Sequence, residues 1–343
     1  LGGCEEIVFN KAGPAIRVSV LLNNYPVFMT NSESRSTVRI LQIAAEYAGQ
    51  RIDNFLFHTL KGIPKSLIYR ILRTGEVRVN GGRIRPAYRL QAGDQIRLPP
   101  LRSATPQPTV APSALLLRQL EQAILLEDAE VLILNKPAGL AVHKGSGLPF
   151  GIIEALRLLR PGPYLELAHR LDRDTSGCLV LAKTPQALAA IHEALRTGTM
   201  DKRYLALVCG RWDKGTCNVS LPLRKNVLRG GERRVEVLVD GKQAHTRFKP
   251  ITLWRGAALL EATLHTGRTH QIRVHAAHSG HPVAGDDKYG DSRCNQIMRQ
   301  LGLRRLFLHA HSVMFALGTR KVCVSAPLTQ DLKDVLEQLE MNR

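Results

Sequence analysis

The clearest pattern of apolar and polar positions near the start of the chain lies in residues 49–98. Apolar side chains first recur at the three- and four-residue spacing of two consecutive amphipathic helices, the second of which can begin at Pro64 and end at Gly75. These apolar positions are Ile52, Phe55, Leu56, Leu60, Leu67, Ile68, Ile71 and Leu72. Alternating residues then predict short strands on either side of the tight-turn pair Asn80-Gly81. The pattern therefore predicts a small ααβ unit.

Later in the chain, short apolar runs typical of strands outnumber the segments with helical spacing. The predicted strands are residues 131–134, 179–182, 204–208, 235–239, 259–264, 306–309 and 322–325. The predicted helices are residues 185–196, which follow a Thr184 cap, 269–278 and 331–340. Because strands and helices do not alternate strictly, we expect an α+β fold with a mixed sheet rather than a doubly wound one.

A proline-rich polar run separates these two regions. Residues 99–116 include five prolines together with serines and threonines, and such a composition predicts a linker because it cannot pack a core. Residues 1–48 are expected to form a partly disordered N-terminal extension, with Met29 as the candidate natural start. The chain of 343 residues thus divides into the extension 1–48, the ααβ unit 49–98, the linker 99–116 and a larger domain 117–343.

The charge balance indicates a polyanionic partner. Lys and Arg total 48 against 29 Asp and Glu, a formal net charge of +19, and nucleic acid is the leading partner for such an excess. No apolar run is long enough to cross a bilayer, so we expect a cytoplasmic protein that binds no membrane. We also expect the protein to be a monomer. Six cysteines are scattered without a close pair, which predicts reduced, mostly buried thiols.

Basic residues are dense on the polar face of the ααβ unit, where only Glu76 and Asp94 oppose them. They are Lys61, Lys65, Arg70, Arg73, Arg78, Arg83, Arg85, Arg89 and Arg97. A solvated basic face is the simpler interpretation, but this density favours contacts with phosphates, for which Lys65, Arg70, Arg73 and Arg78 are the candidates. The scarcity of aromatic residues favours recognition of the backbone or shape of structured RNA over stacking on single strands.

The strongest local chemical signal is the segment 169–177, with the sequence HRLDRDTSG, which precedes a predicted strand. Asp172 and Asp174 lie among two arginines there. A carboxylate near an arginine stays ionised, which suits a nucleophile or a base. A charged surface turn capped by its own Asp and Thr side chains has the same composition. Residue chemistry alone leaves both interpretations open.

Two further segments are candidates for a site. In residues 266–275, TGRTHQIRVH, a strand turns into a helix; its histidines raise the question of a metal, but no zinc signature, carboxylate or thiolate accompanies them. We therefore expect no metal. Tyr204 opens an apolar strand, where it is either a core tyrosine or a stacking partner for an extruded base. Neither a phosphate-binding GxxxxGK[ST] loop nor a GxGxxG segment after a strand is present, so we expect neither a phosphate-cradling nucleotide loop nor a dinucleotide cofactor.

Together these segments resemble the RluA-type family of pseudouridine synthases, from about Gly49 to the C-terminus, and residues 49–98 resemble the S4 RNA-binding domain. The resemblance rests on residues 49–56, 75–80, 169–177 and 280–290, with Tyr204 and Arg268 in the matching order. It implies a catalytic domain with a mixed, mainly antiparallel sheet. It also implies conversion of uridine to pseudouridine without a cofactor. The sequences of residues 64–72 and 142–147 are most similar to those of family members that modify large-subunit ribosomal RNA.

The resemblance also implies roles for individual residues. Asp172 would be the catalytic carboxylate and Arg268 its ion-pair partner, while Tyr204 would stack on the base and assist proton removal at C5. Arg170 would fill the gap left by the extruded uridine, Ile272 would pack against uracil, and Lys202 would help to position phosphate or substrate. The alternatives are a related synthase with other target uridines in ribosomal or transfer RNA, a non-catalytic RNA-binding assembly factor, and a metal-dependent nuclease or deaminase.

Overall fold

Two short helices and a four-stranded sheet form the first folded unit, as the apolar spacing predicts. The computed structural model describes residues 38–60, 63–101, 112–144, 150–162, 164–227 and 233–342. The elements of the first unit are β1 (Arg39–Gln42), α1 (Ile52–Thr59), α2 (Lys65–Thr74), β2 (Arg78–Val79), β3 (Gly82–Arg83) and β4 (Gln95–Leu98). Asn80 and Gly81 both have positive φ and make the tight turn between β2 and β3. The predicted turn and both helices are confirmed.

The boundaries of this unit differ from the prediction. β1 pairs with β4, so Arg39–Gln42 belongs to the sheet rather than to the predicted N-terminal extension. This edge strand is mostly exposed on both faces, which removes the alternation that would have revealed it. At the other end, the predicted linker overlaps helix α3 (Ala114–Gln122), which Ser113 caps by accepting a hydrogen bond from the Leu116 amide. Residues 1–37 and 102–111 lie outside the described residues.

The second unit is organised by one large sheet. Its strands are β5 (Ile124–Glu127), β6 (Val131–Lys136), β7 (Glu166–Leu167), β8 (Ser176–Ala182), β9 (Asp201–Cys209), β10 (Cys217–Ser220), β13 (His245–Leu253), β14 (Ala257–Leu264), β15 (Leu308–Leu317) and β16 (Arg320–Ser325). The main path runs β10-β13-β14-β9-β15-β8-β6-β5, with β16 on β15 and β7 on β8. β15 and β8 pair in parallel, whereas the other pairs are antiparallel. The expected mixed, mainly antiparallel α+β fold is confirmed.

A separate hairpin and six helices, α3 among them, complete the described part of this unit. They are β11 (Leu223–Val227), β12 (Arg233–Val237), α4 (Ile152–Leu159), α5 (Pro185–Thr197), α6 (Gln271–His278), α7 (Ser292–Gln300) and α8 (Gln330–Met341). On one face of the sheet, α3, α4 and α6 pack against Tyr204, Leu260 and Leu308. On the other face, α7 and α8 cover Leu207 and Leu259. The centre of the sheet is therefore buried on both sides, whereas one face of β10 and β13 is exposed.

The cysteines differ from the expectation of reduced thiols. Cys209 at the end of β9 and Cys294 in α7 form a disulfide, with their Cα atoms 6.2 Å apart. The two residues are separated by 85 positions, so only the packing of α7 on the sheet brings them together. Cys178, Cys217 and Cys323 are free, and Cys178 is buried. Among the described residues, no helix is both long and apolar enough to span a bilayer.

At Gly177, the backbone of β8 lies close to the backbone of β15. The φ of Gly177 is +107°, and a β-carbon there would lie 2.2 Å from the carbonyl oxygen of Ala310. Gly198, which ends α5, has a φ of +74°, but a β-carbon there would have no atom within 4 Å. Both glycines therefore need a backbone that L residues disfavour, but only Gly177 also needs the absent side chain.

We expect Gly177→Ala to destabilise the protein more than Gly198→Ala. The control variant should cost about 1–2 kcal/mol, the penalty of left-handed backbone in a non-glycine residue. Gly177→Ala adds a steric clash that pushes β8 from β15. Urea unfolding followed by circular dichroism measures both variants, and equal midpoints would contradict the close approach.

Candidate active site

The loop before β8 holds Asp172 at the edge of the buried sheet. The Asp172 carbonyl accepts a hydrogen bond from the Thr175 amide at 3.2 Å, which closes a tight turn. At the start of the loop, His169 accepts a hydrogen bond from the Val180 amide through Nε2, and burial lowers its pKa to about 4. The side chain of Asp172 is 21% exposed, whereas Asp174 is 44% exposed and is paired with Arg173. Asp172 is thus the carboxylate that faces the interior.

A buried lysine anchors this loop. Lys136, at the end of β6, is fully buried, and its ammonium donates to the carbonyls of Pro137, Leu140 and Arg173 at 2.8, 2.9 and 2.9 Å. The amide of Gly139 also donates to the Arg173 carbonyl. Burial lowers the pKa of Lys136 to about 7, against the opposing charges of Asp174 and Asp172. Lys136 therefore fixes the backbone directly after Asp172.

Tyr204 and Ile272 form the apolar wall beside Asp172. Tyr204 is 8% exposed on β9 and Ile272 is 3% exposed on α6, and both belong to the same packed cluster as Leu171. Burial raises the pKa of Tyr204 well above its usual range, and the nearby charge of Asp172 adds to this effect. The phenol is therefore protonated at neutral pH. Of the predicted residues, Tyr204 therefore lies close enough to Asp172 to interact electrostatically, and Ile272 belongs to the cluster that contains Tyr204 and Leu171.

The predicted ion pair between Arg268 and Asp172 is absent from the described structure. Arg268 is exposed, and its Nε donates to the carbonyl of Gln243 at 3.2 Å. Helix α6 begins only at Gln271, after His270 adopts a left-handed backbone with φ 54°. In this turn the imidazole approaches the loop, and His270 Nε2 lies 3.8 Å from Asp172 Oδ2. The residue spacing in this segment predicted a helix from residue 269. It gave no sign of the left-handed backbone at His270, so the approach of His270 to Asp172 was not predicted.

Arg273 is a positive charge close enough to His270 to affect it electrostatically. Its guanidinium forms two hydrogen bonds of 2.7 Å with the carboxylate of Asp286, and both groups are buried. Burial alone would raise the pKa of Asp286, but the bonds from Arg273 hold it below its usual range. Tyr289 packs against the guanidinium, 5.0 Å from ring centroid to Cζ. The sequence segment 280–290 was noted for its resemblance, but nothing in it assigned roles to Asp286 and Tyr289.

The remaining predicted contact residues lie outside this centre. Arg170 is exposed within the loop, and Arg70, Arg73 and Arg78 are exposed on the S4-like unit. The side chain of Lys65 lies outside the described residues. Lys202 is only 6% exposed, and the described part of the chain offers its ammonium no hydrogen bond or ion pair. Burial lowers the pKa of Lys202, while Asp201 opposes the shift.

The histidines near α6 are engaged separately. His275 Nδ1 lies 2.9 Å from the Thr246 hydroxyl, and His281 Nδ1 lies 3.1 Å from the Cys209 carbonyl oxygen. His245 stacks near His265, with their ring centroids 4.5 Å apart. Within the described ranges, no three His, Cys, Asp or Glu side chains are arranged to hold a metal ion. The arrangement around Asp172 can instead hold a planar apolar group against Tyr204 and Ile272 with a carboxylate at its edge.

Comparisons with known proteins show the family of this chain. Residues 130–278 match the family model described as RNA pseudouridylate synthase, and residues 50–96 match the S4 domain. The ribosomal large subunit pseudouridine synthase C of Pasteurella multocida is 53% identical over 306 residues, which cover 88% of this chain and 94% of that protein. Its namesake from Escherichia coli K12 is 51% identical over 313 residues, covering 90% and 98%. The structure of human RNA pseudouridylate synthase domain containing 4 superposes with a TM-score of 0.56 at 25% identity, covering 66% of this chain and 96% of that one.

The lowered pKa of Lys136 predicts how stability depends on pH. The amine titrates at about 7 in the folded protein but at about 10.4 in an unfolded chain. Between these values the unfolded chain binds one more proton, so the free energy of unfolding rises with pH. From pH 7.5 to 9 it should rise by about 1 kcal/mol per pH unit more in the wild type than in Lys136→Met. Urea unfolding across this range measures the difference, and parallel slopes would contradict the pKa.

Proposed function

Because the chain belongs to the RNA pseudouridylate synthase family, we propose that this RNA pseudouridine synthase isomerises uridines of large-subunit ribosomal RNA, with Asp172 as its catalytic carboxylate. The observation that carries the assignment of Asp172 is its position. It is the carboxylate of the loop that faces the apolar wall of Tyr204 and Ile272. Asp174, two residues later, is more exposed and is paired with Arg173.

The choice of substrate rests on two observations. The relatives that are more than half identical over most of their length are named ribosomal large subunit pseudouridine synthase C. The S4 domain binds RNA, and its helix α2 presents Arg70 and Arg73 to solvent. Large-subunit ribosomal RNA is therefore the proposed substrate, and the proposal includes action as a cytoplasmic monomer.

The proposed reaction needs a uridine outside the helical stack. The bond from C1′ to N1 breaks, the uracil rotates, and C5 bonds to C1′; the proton lost from C5 is balanced by one gained at N1. Extruding the base costs a few kcal/mol, and the exposed side chain of Arg170 within the loop would fill the gap. Tyr204 and Ile272 would hold the uracil. The phenol of Tyr204 is protonated, so it would take the C5 proton only by passing its own proton to the carboxylate of Asp172. No electrons enter or leave, so no cofactor is required.

We expect Asp172→Asn to abolish pseudouridine formation while RNA binding is retained. The amide fills the same space but carries no negative charge, so it cannot act as a nucleophile or base. Release of tritium from unmodified ribosomal RNA labelled at C5 of uridine measures the reaction, and filter binding measures affinity. Asp174→Asn is the matched control and should keep the rate within about tenfold, since Asp174 faces Arg173 and solvent. Wild-type activity of Asp172→Asn would exclude Asp172 as the catalytic carboxylate.

A second prediction concerns the S4 domain. Substituting Arg70 and Arg73 with Ala should weaken RNA binding and flatten its dependence on salt, because each lost phosphate contact lowers the slope of log K against log salt by about 0.7–0.9. Binding titrations from low to moderate salt measure the slope. Arg196→Ala is the control, because Arg196 is exposed on α5 but already paired with Glu193. An unchanged slope in the double variant would remove α2 from the RNA-binding surface.

A further inference from the structure

His270 has a backbone conformation that is rare for its type. Among the described non-glycine residues, only Asn80 and His270 have positive φ, and Asn80 lies in a hairpin turn where this conformation is common. His270 instead directly precedes α6, where it lies between the strand β14 and the helix. The fold therefore holds this residue in a strained conformation, and such strain is found where the surroundings over-determine a side chain.

A chain of hydrogen bonds favours one position for the proton of the imidazole. The hydroxyl oxygen of Tyr289 accepts from the Val235 amide at 2.9 Å, which leaves its own proton free to donate. His270 Nδ1 lies 2.9 Å from the same hydroxyl, close enough to accept that proton. Burial lowers the pKa of His270, against the opposing charge of Asp172, so the ring is neutral at neutral pH. In the neutral ring with an accepting Nδ1, the proton sits on Nε2.

This Nε2–H faces the proposed catalytic carboxylate, since Nε2 lies 3.8 Å from Asp172 Oδ2. Other nearby cations do not reach this carboxylate. The ammonium of Lys136 donates all three protons to carbonyls, and Arg273 uses two of its five N–H donors on Asp286. Arg268 donates through Nε to the carbonyl of Gln243. Among the described Lys, Arg and His side chains, His270 is the one with a nitrogen within 4 Å of an Asp172 carboxylate oxygen.

We propose that His270 is a positioning residue, which donates its Nε2–H to Asp172 and holds the carboxylate toward the uridine, with Tyr289 fixing the required tautomer. The present distance is longer than a hydrogen bond, as catalytic contacts often are without substrate. It shortens when the base excludes water from the site. This inference rests on the proposed function, because it assigns His270 a role through Asp172.

Three substitutions distinguish the effect of the Nε2–H donor from the effect of the left-handed backbone at residue 270. His270→Gln places an N–H near the position of Nε2. His270→Asn tolerates the left-handed backbone well, but its amide is too short to reach Asp172. Tyr289→Phe removes the hydroxyl that fixes the tautomer while keeping the ring against Arg273. His278→Asn, on the exposed end of α6, is the matched control.

The measurements are the single-turnover rate of tritium release at saturating enzyme and the Kd for the same unmodified ribosomal RNA. We expect His270→Asn to lower the rate by about 10²-fold, the loss typical of one preorganised donor, with the Kd unchanged within about twofold. His270→Gln should recover at least about tenfold of that loss, Tyr289→Phe should be slowed, and His278→Asn should match the wild type.

Two results would overturn the positioning role. One is a wild-type rate for His270→Asn. The other is an equal loss of rate in His270→Gln and His270→Asn, provided that thermal unfolding shows both to be folded. If His270→Gln does not fold, Tyr289→Phe decides, since a wild-type rate in that variant excludes the tautomer chain. The Asp172→Asn variant separates this inference from the proposed function. If that variant is inactive while the His270 variants are fully active, only the role of His270 fails.

Discussion

A single row of residues across the large sheet sets the geometry of the site. Ala310 pairs with Gly177 on one side, in parallel, and with Tyr204 on the other, in antiparallel. The loop that carries Asp172 ends at Gly177, so this row fixes the distance between the carboxylate loop and the tyrosine strand. The parallel pairing is possible because the chain returns from α7 to insert β15 between β8 and β9. Residues that are far apart in sequence thereby meet at the same edge of one sheet.

Two buried ionic groups beside that row have compensating partners. Lys136 is surrounded by three carbonyls, and Arg273 and Asp286 satisfy each other with two hydrogen bonds. Unpaired, either group would carry a desolvation penalty of several kcal/mol, which would favour rearrangement of the site. Because both are satisfied by rigid neighbours, they stiffen the loop and α6 without competing for Asp172. Asp172 remains the partly exposed charge of the site.

Local patterns in the sequence were enough for much of the fold. The spacing of Ile52, Phe55 and Leu56 predicted α1, and the Asn80-Gly81 pair predicted its turn, because the causes of these elements lie within a few residues. The long strand β13 was missed, since its outward positions include Lys249 and Ile251 and Pro250 interrupts the run. The start of β15 was predicted at residues 306–309, but its insertion between β8 and β9 was not, and neither was the Cys209–Cys294 disulfide; both depend on contacts between distant segments. Such contacts leave no local pattern.

The same limit explains why the sequence could suggest Asp172, Tyr204 and Ile272 as site residues but could not show which side chain lies beside Asp172. A guanidinium pairs with both oxygens of a carboxylate, as Arg273 does with Asp286. If Arg268 bound Asp172 in that way, both oxygens would be held by the guanidinium, and each would keep only its second lone pair for the uridine. A neutral imidazole has one N–H to offer, so it orients one oxygen and leaves the other fully available. In the proposed role, the left-handed turn at His270 supplies a single directed donor in place of a bidentate ion pair, and one oxygen of Asp172 stays available to the substrate.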